Sequence, residues 1–284
     1  MERDLMWDGC GNVRDLGGLT AAGGRRTRWG AVVRSDTPDR LSPDGWAAAA
    51  AHGVRTIVDL RNPGEHRAAP GLRPPGMTVV SVPLDRLDDP DRPRYGGTPL
   101  YLRPFMDRWP ALCAAPLRAI ATAPPGGVLV HCVAGRDRTG LVAILLLALA
   151  GVGHRDILDD YQHSTRRLSA LYARLGEPDD DLRVRARLTA AGTTTAEVIL
   201  ALLSGLDVAA YLASGGLTAA ELTALRTRFT EDAHAPSDGP AARGDSAAQG
   251  NSAAQGDSAA VVDEGGRQDA VVVVAMEDGR GTAG

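Results

Sequence analysis

Residues 127–140 read GVLVHCVAGRDRTG, and the reading of this stretch decides how the rest of the chain is interpreted. Three apolar residues, Val128 to Val130, lead into His131-Cys132. A loop containing Gly135 follows, then Arg138-Thr139 and a long apolar segment, Leu141 to Ala150. That order predicts a strand, an anion-binding loop and a helix. Five residues separate Cys132 from Arg138, enough to curl a loop around a tetrahedral oxyanion with a thiolate beneath it and a guanidinium beside it. Backbone amides from Val133, Ala134, Gly135 and Arg136 onward would then point inward as a nest. A helix starting near Thr139 adds the partial positive charge of its N-terminus, which favours a bound phosphate and a thiolate at the same spot. Thr139 is placed to hydrogen-bond Cys132, and His131 to orient the loop.

The spacing alone is weak. With 31 basic residues in 284 and three cysteines, a chance Cys-x5-Arg arises with a frequency of about one in three. Discrimination comes from context: the apolar strand, the glycine, the hydroxyl at Thr139 and the following helix are each required separately by the proposed chemistry.

Composition narrows the class. The chain is long enough for a sizeable core, and its formal charge of −4 gives no global basic field for nucleic acid. Every basic residue is arginine; lysine is absent from the sequence. Cys10, Cys113 and Cys132 form no CxxC pair, so neither a disulfide framework nor a metal site is indicated, and no cofactor is expected. A thiol nucleophile must stay reduced, which fits a reducing, cytoplasmic setting and leaves open secretion by a route that needs no signal peptide. The opening residues, MERDLMWDG, lack the apolar core of a signal peptide. The Leu141–Ala150 run is too short for a bilayer, so no stable membrane insertion is expected.

Read in order, residues 1–30 predict loops or a short hairpin. Ala31–Val33 reads as a strand, and Ser42-Pro43 opens a helix running to Ala51. Strands follow at Val54–Leu60 and Met77–Leu84. Strands separated by helical or long connections predict an α/β fold with a mostly parallel central sheet flanked by helices. Its carboxyl edge would then carry Asp59, Asp85 and Cys132 together. Residues 86–98 read as a surface loop. Leu100–Ala121 reads as short helical pieces broken at Pro104, Pro110 and Pro116, and residues 86–121 could form a lid over a cleft. Additional C-terminal helices are predicted within His154–Leu175 and at Thr195–Leu203, Asp207–Leu212 and Leu217–Phe229, the last opened by a Thr218–Glu221 capping box. Beyond residue 230 a six-residue repeat poor in bulky side chains predicts a disordered tail over 231–284, with Val271–Ala275 a short apolar patch able to pair with a sheet edge. The folded domain is therefore placed at residues 1–230.

HCVAGRDRTG resembles the phosphate-binding loop of cysteine-dependent phosphatases. It is most similar to the bacterial tyrosine/serine protein phosphatases, in which the loop reads HCxAGKDRTG; this sequence departs at Arg136, where the group has lysine. Asn12-Val13-Arg14-Asp15-Leu16-Gly17-Gly18 with Val33-Arg34-Ser35-Asp36, and Ile57-Val58-Asp59-Leu60-Arg61, resemble two further signatures of that group in the same order. The likeness spans about residues 7–230.

The resemblance implies a cysteine-phosphatase-like fold of the dual-specificity type. It also implies hydrolysis of phosphomonoesters through a phosphocysteine, with Cys132 as nucleophile and Arg138 gripping the phosphoryl oxygens. Asp137 is the first choice of general acid and Asp85 the second, while Asp59 is expected to pair with Arg61 or Arg14. Arg14 and Asp15 are expected to support the loop, in a turn held by an ion pair of Arg14 with Asp15 or Asp36. Arg136 is expected to face outward, where a second phosphate could sit. The implied partners are a phosphorylated protein or a phosphoinositide; oligomeric state is left open. Two other readings keep the loop with different chemistry: a phosphate-binding module without turnover, and a sulfurtransferase.

Overall fold

The computed structural model describes residues 2–65 and 73–233 and, by backbone alone, Val271–Val273. Much of the predicted 231–284 tail lies outside the described residues.

Four strands carry the expected parallel arrangement: β4 (Val32–Ser35), β5 (Val54–Asp59), β6 (Thr78–Ser81) and β7 (Gly127–His131). Strand β1 (Arg14–Asp15) runs antiparallel to β4, so the order is β1-β4-β7-β5-β6, with β9 (Val271–Val273) parallel to β6 at the far edge. A separate antiparallel ribbon joins β2 (Thr20–Ala21), β3 (Arg25–Thr27) and β8 (Thr230–Asp232). Glu231 and Asp232 thus belong to the fold and not to a disordered tail. Residues 1–30 supply β1 of the main sheet as well as the short hairpin.

Strand periodicity explains the two cores. Side chains alternate across a sheet, and Val128 and Val130 of β7 join Val32 and Val58 against helices α4 (Pro110–Thr122) and α5 (Asp137–Leu149). Leu129, Val33 and Ile57 face the other way. There they meet Trp7 and α1 (Pro43–Ala51), which brings Trp46 and Ala49. Helix α1 starts as read, with Ser42 accepting a bond from the Gly45 amide and Pro43 in the first turn. Central β7 is buried along its whole length, which is why its sequence is a continuous apolar run.

Three local expectations are corrected. Strand β6 stops at Ser81, because Pro83 has no amide to continue a ladder. The backbone nevertheless stays bound to the neighbouring strand end, through Val82 N to Asp59 O and Leu84 N to Leu60 O. Of the three prolines in 100–121, only Pro110 marks a break. It opens α4 after α3 (Leu102–Arg108), whereas Pro104 lies in α3 and Pro116 inside α4. Between β6 and α3, the segment 86–98 holds a short helix, α2 (Arg92–Tyr95), and the buried carboxylate of Asp89, which accepts from Arg108 Nη1 (2.7 Å) and Trp109 Nε1 (2.6 Å). After α6 (His154–Leu175) comes α7 (Asp181–Ala190), which the sequence reading missed. Helices α8 (Thr195–Leu203), α9 (Val208–Ser214) and α10 (Ala219–Phe229) follow, with the Thr218–Glu221 capping box present. Among the described residues, no single helix is long and apolar enough to cross a membrane.

Leu129 is fully buried at the centre of the sheet. Leu129→Ala should cost about 2–5 kcal/mol, read as a lower urea midpoint with an unchanged slope.

Candidate active site

The loop leaves β7 at His131 and enters α5 at Asp137. Between them the backbone turns tightly at Gly135, whose φ of +69° favours glycine; a Cβ there would also lie 2.3 Å from the Ser35 carbonyl oxygen. The Sγ of Cys132 accepts a bond from the Gly135 amide at 3.3 Å, so at least one loop amide points at the sulfur. The carbonyls point elsewhere. Val133 O accepts from Thr37 N (2.9 Å), Ala134 O from Asn12 Nδ2 (3.0 Å), and Gly135 O from both Asn12 Nδ2 (3.1 Å) and Arg34 Nη2 (2.8 Å). The amides of Val133, Ala134 and Arg136 have no acceptor among the described residues. They are donors available to an anion, at the N-terminus of a 13-residue helix.

Arg138 is held by a residue the sequence reading did not single out. Its Nη1 and Nη2 donate to the two oxygens of Glu65 (2.5 and 2.8 Å), and Nη1 also reaches Leu60 O at 3.4 Å. A guanidinium has two further N–H groups on its Nε–Nη2 edge. That edge has no protein acceptor among the described residues, so Glu65 can fix the arginine while an oxyanion takes its other side. Burial works against the Arg138 charge, but Cys132 and Glu65 outweigh it and raise the pKa above the ordinary arginine value. Glu65 shows the reverse: burial would raise its pKa, and the bonds from Arg138 and the Asn62 amide hold it below the usual range. An acidic residue in the loop that follows a strand ending beside the anion site was the available signal.

The other expected residues are distributed unevenly. Asp137 lies beside Arg138 on the wall of a cavity of about 430 Å³, together with Asp85 and the apolar side chains Leu84, Tyr101, Phe105 and Leu141. Its carboxylate accepts from Tyr161 Oη (3.1 Å) and pairs with Arg136 (3.3 Å). Asp85 is paired with Arg92 at 3.0 Å. Asp59 sits back from the cavity, bound by Arg61 Nη2 (2.7 Å) and 3.6 Å from His131 Nε2. Burial opposes its charge, yet His131 and Arg61 together hold its pKa below the usual range. His131 Nδ1 lies 3.0 Å from Cys132 O, which ties the ring to the loop.

Four expectations fail. Arg136 does not face outward: its side chain is 8% exposed, and Nη2 donates to Gly97 O and pairs with Asp137 and Asp180. The reason is α7, whose entry at Asp180 and Asp181 brings a carboxylate over it. The Thr139 hydroxyl is buried but makes no hydrogen bond to Cys132 among the described contacts. Arg14 pairs with neither Asp15 nor Asp36. Its Nε donates to Asp160 Oδ1 (2.9 Å) on α6, a partner 146 residues away that no local pattern signals. Asp15, next to Arg14 on a strand, points to the opposite side, where it accepts from Gly17 N (2.7 Å), Gly30 N (2.8 Å) and His52 Nε2 (2.7 Å).

Asp160 is the hub of a buried cluster. Arg34 Nη1 donates to its Oδ2 at 2.5 Å, Arg3 pairs with Oδ1, and Ser164 accepts from both Arg14 and Arg34. Burial would raise the Asp160 pKa, but Arg14, Arg34 and Arg3 push it far below the usual carboxylate range. Arg14 is lowered to about 10, first by its own burial and then by Arg34.

A cysteine whose sulfur accepts a loop amide, further unclaimed amides in the same loop, an arginine fixed at one edge by Glu65 and a helix starting beside it, at the carboxyl end of a parallel strand, fit the phosphate-binding loop expected of a cysteine-dependent phosphatase. The chain belongs to the tyrosine phosphatase family, whose model matches residues 5–231. Among curated proteins it is 37% identical to a Cupriavidus necator protein provisionally named a tyrosine-protein phosphatase, over 58% of this chain and 64% of that one. It is 31% identical to a tyrosine-protein phosphatase of Nostoc commune, over 53% and 51%. It is also 26% identical to the triple specificity protein phosphatase PtpB of Mycobacterium tuberculosis, over 77% and 96%. The match thus spans under two thirds of the first two relatives. The crystal structure of P. aeruginosa TpbA aligns with a TM-score of 0.33 at 21% identity, over 66% of this chain and 86% of that one, a likeness too low to carry an argument.

Two outcomes follow from the charges. Bonds to charged groups contribute about 1.5–3 kcal/mol, so Glu65→Gln should weaken binding of orthovanadate, read by calorimetry, about tenfold or more. Asp160→Asn leaves two buried arginines sharing a neutral amide and should cost about 3–5 kcal/mol at neutral pH. Because the folded pKa of Asp160 is depressed, its stabilisation is complete above the unfolded carboxylate value of about 3.9 and is lost as pH falls further. The urea-midpoint gap between wild type and Asp160→Asn should therefore narrow below that pH.

Proposed function

We propose that the protein hydrolyses phosphomonoesters of phosphotyrosine-bearing proteins, with dual specificity, through a phosphocysteine on Cys132. The observation that carries this reading is the Gly135 amide pointing at Cys132 Sγ in a loop whose other amides are unclaimed, with one edge of the following Arg138 free of any acceptor among the described residues. In the first step Cys132 attacks phosphorus in line. Arg138 and the amides of Val133, Ala134, Gly135 and Arg136 take the equatorial oxygens, and the leaving oxygen receives a proton. In the second step water displaces the cysteine. Family membership and the names of the three relatives support the reaction class.

Asp137 is proposed as the proton donor, since it stands beside Arg138 on the cavity wall; Asp85, on the same wall, is the alternative. Asp59 is set aside because it does not line the cavity that holds Asp137 and Asp85. The walls formed by Leu84, Tyr101, Phe105 and Leu141 suit a phenyl ring, which favours an aryl over a short alkyl ester. A phosphoinositide is the second reading. Its support is two cations, Arg92 and Arg187, that line the cavity, and it no longer rests on Arg136. A thiol nucleophile is in keeping with a cytoplasmic, reducing setting.

Release of phosphate from p-nitrophenyl phosphate should be abolished by Cys132→Ser. Consumption of thiosulfate instead would assign a sulfurtransferase, and neither activity in the wild type would assign a binding module. Asp137→Asn should remove the alkaline limb of the kcat/KM profile, the side on which a general acid loses its proton. An intact limb in that variant and a lost limb in Asp85→Asn would transfer the role to Asp85.

A further inference from the structure

We propose that Asn12 and Arg34, which lie outside the loop, are positioning residues that set its anion-binding face; this rests on the phosphatase reading of the same site. A trans peptide places its C=O and N–H on opposite sides, and cis peptides are absent from the described residues. Whatever turns the carbonyl of Ala134 outward therefore turns the amide of Gly135 inward, and the carbonyl of Gly135 does the same for the amide of Arg136. The first of these can be checked directly: Ala134 O accepts from Asn12 Nδ2, and the Gly135 amide points at Cys132 Sγ. The second carbonyl is held by two donors, Asn12 Nδ2 and Arg34 Nη2.

The orientation of the Asn12 amide follows from its neighbours. Its Oδ1 accepts from Arg14 Nη1 at 2.8 Å, so its NH2 group must face the two loop carbonyls. Arg14 is in turn locked on Asp160, the carboxylate that also holds Arg34. Asn12 and Arg34 thus reach the loop from one buried cluster, with Arg14 and Arg34 each 1% exposed. Burying two arginines on one carboxylate is costly, and a scaffold needing only hydrophobic contact would not require it. Asn12 is itself fully buried, and its backbone amide is tied to Asp36 at 2.9 Å. A role in placing amides explains why the donors end on loop carbonyls.

The test uses the full chain. Asn12→Asp keeps the shape and the bond to Arg14 but sets a carboxylate oxygen against both carbonyls. Misplacing reacting groups by about 1 Å can cost about 100-fold. Asn12→Asp should therefore lose about that factor in kcat for p-nitrophenyl phosphate and in affinity for orthovanadate. Asn12→Ala, which removes the donor without repulsion, should lose about tenfold in both and carries the test should the aspartate variant not fold. Calorimetry with inorganic phosphate on Cys132→Ser, with and without Asn12→Ala, separates this proposal from the hydrolysis itself. Weaker phosphate binding in the double variant supports positioning even if the wild type fails to turn over. Equal phosphate affinity in the two, or folded Asn12 variants with wild-type kcat and vanadate affinity, would overturn it.

Discussion

Everything in the site depends on which way a few peptide planes face. Between Cys132 and Asp137 the backbone could present either carbonyls or amides to the sulfur. With carbonyls inward the loop would repel an anion and the thiolate alike; with amides inward it attracts both. The loop does not settle this by itself. Its carbonyls are claimed from outside, by Thr37 on the segment after β4, by Asn12 before β1, and by Arg34 within β4. The strand order makes this possible, because β4 lies directly beside β7 and β1 beside β4.

The same arrangement couples stability to function. Arg14 and Arg34 sit almost without solvent and share Asp160, which lies on a helix after the loop and comes late in the chain. Such a cluster contributes little net stability compared with an apolar core of the same volume, yet removing one member leaves charge stranded. It also leaves excess positive charge on the outer side of a loop built for an anion. The guanidinium of Arg138 is managed separately: Glu65 takes one edge and leaves the other open. Position and charge are thus supplied by different groups: Glu65 fixes the guanidinium, and its other edge stays available to an anion.

How much of this could be read from the sequence depends on the distance over which each feature is specified. The strand, loop and helix around Cys132 are local and were legible, as were the Ser42 and Thr218 helix starts, whose capping partners lie three residues away. The parallel sheet followed from the alternation of strands with helices. What escaped was nonlocal. Asp160 has no motif around it and acquires meaning only when α6 folds back on β1 and β4. Glu65 lay just beyond a segment already recognised, in a loop with no periodicity. Arg136 was misplaced because α7, polar along much of its length and lacking a side-chain cap at Asp180, gave no sign that it would close over the loop. Asn12 opens the signature that ends at Gly17-Gly18, but nothing in the sequence says that its side chain, and not its backbone, meets the loop.

The proposed chemistry requires Cys132 to take the phosphoryl group. Acid-quenching the wild-type protein within milliseconds of mixing with an aryl phosphate, followed by peptide mass spectrometry, tests it most directly. One added phosphoryl group is expected on the peptide containing Cys132, appearing before steady-state turnover. Turnover at full rate with that peptide unmodified, or with the phosphoryl group on any other side chain, would contradict it.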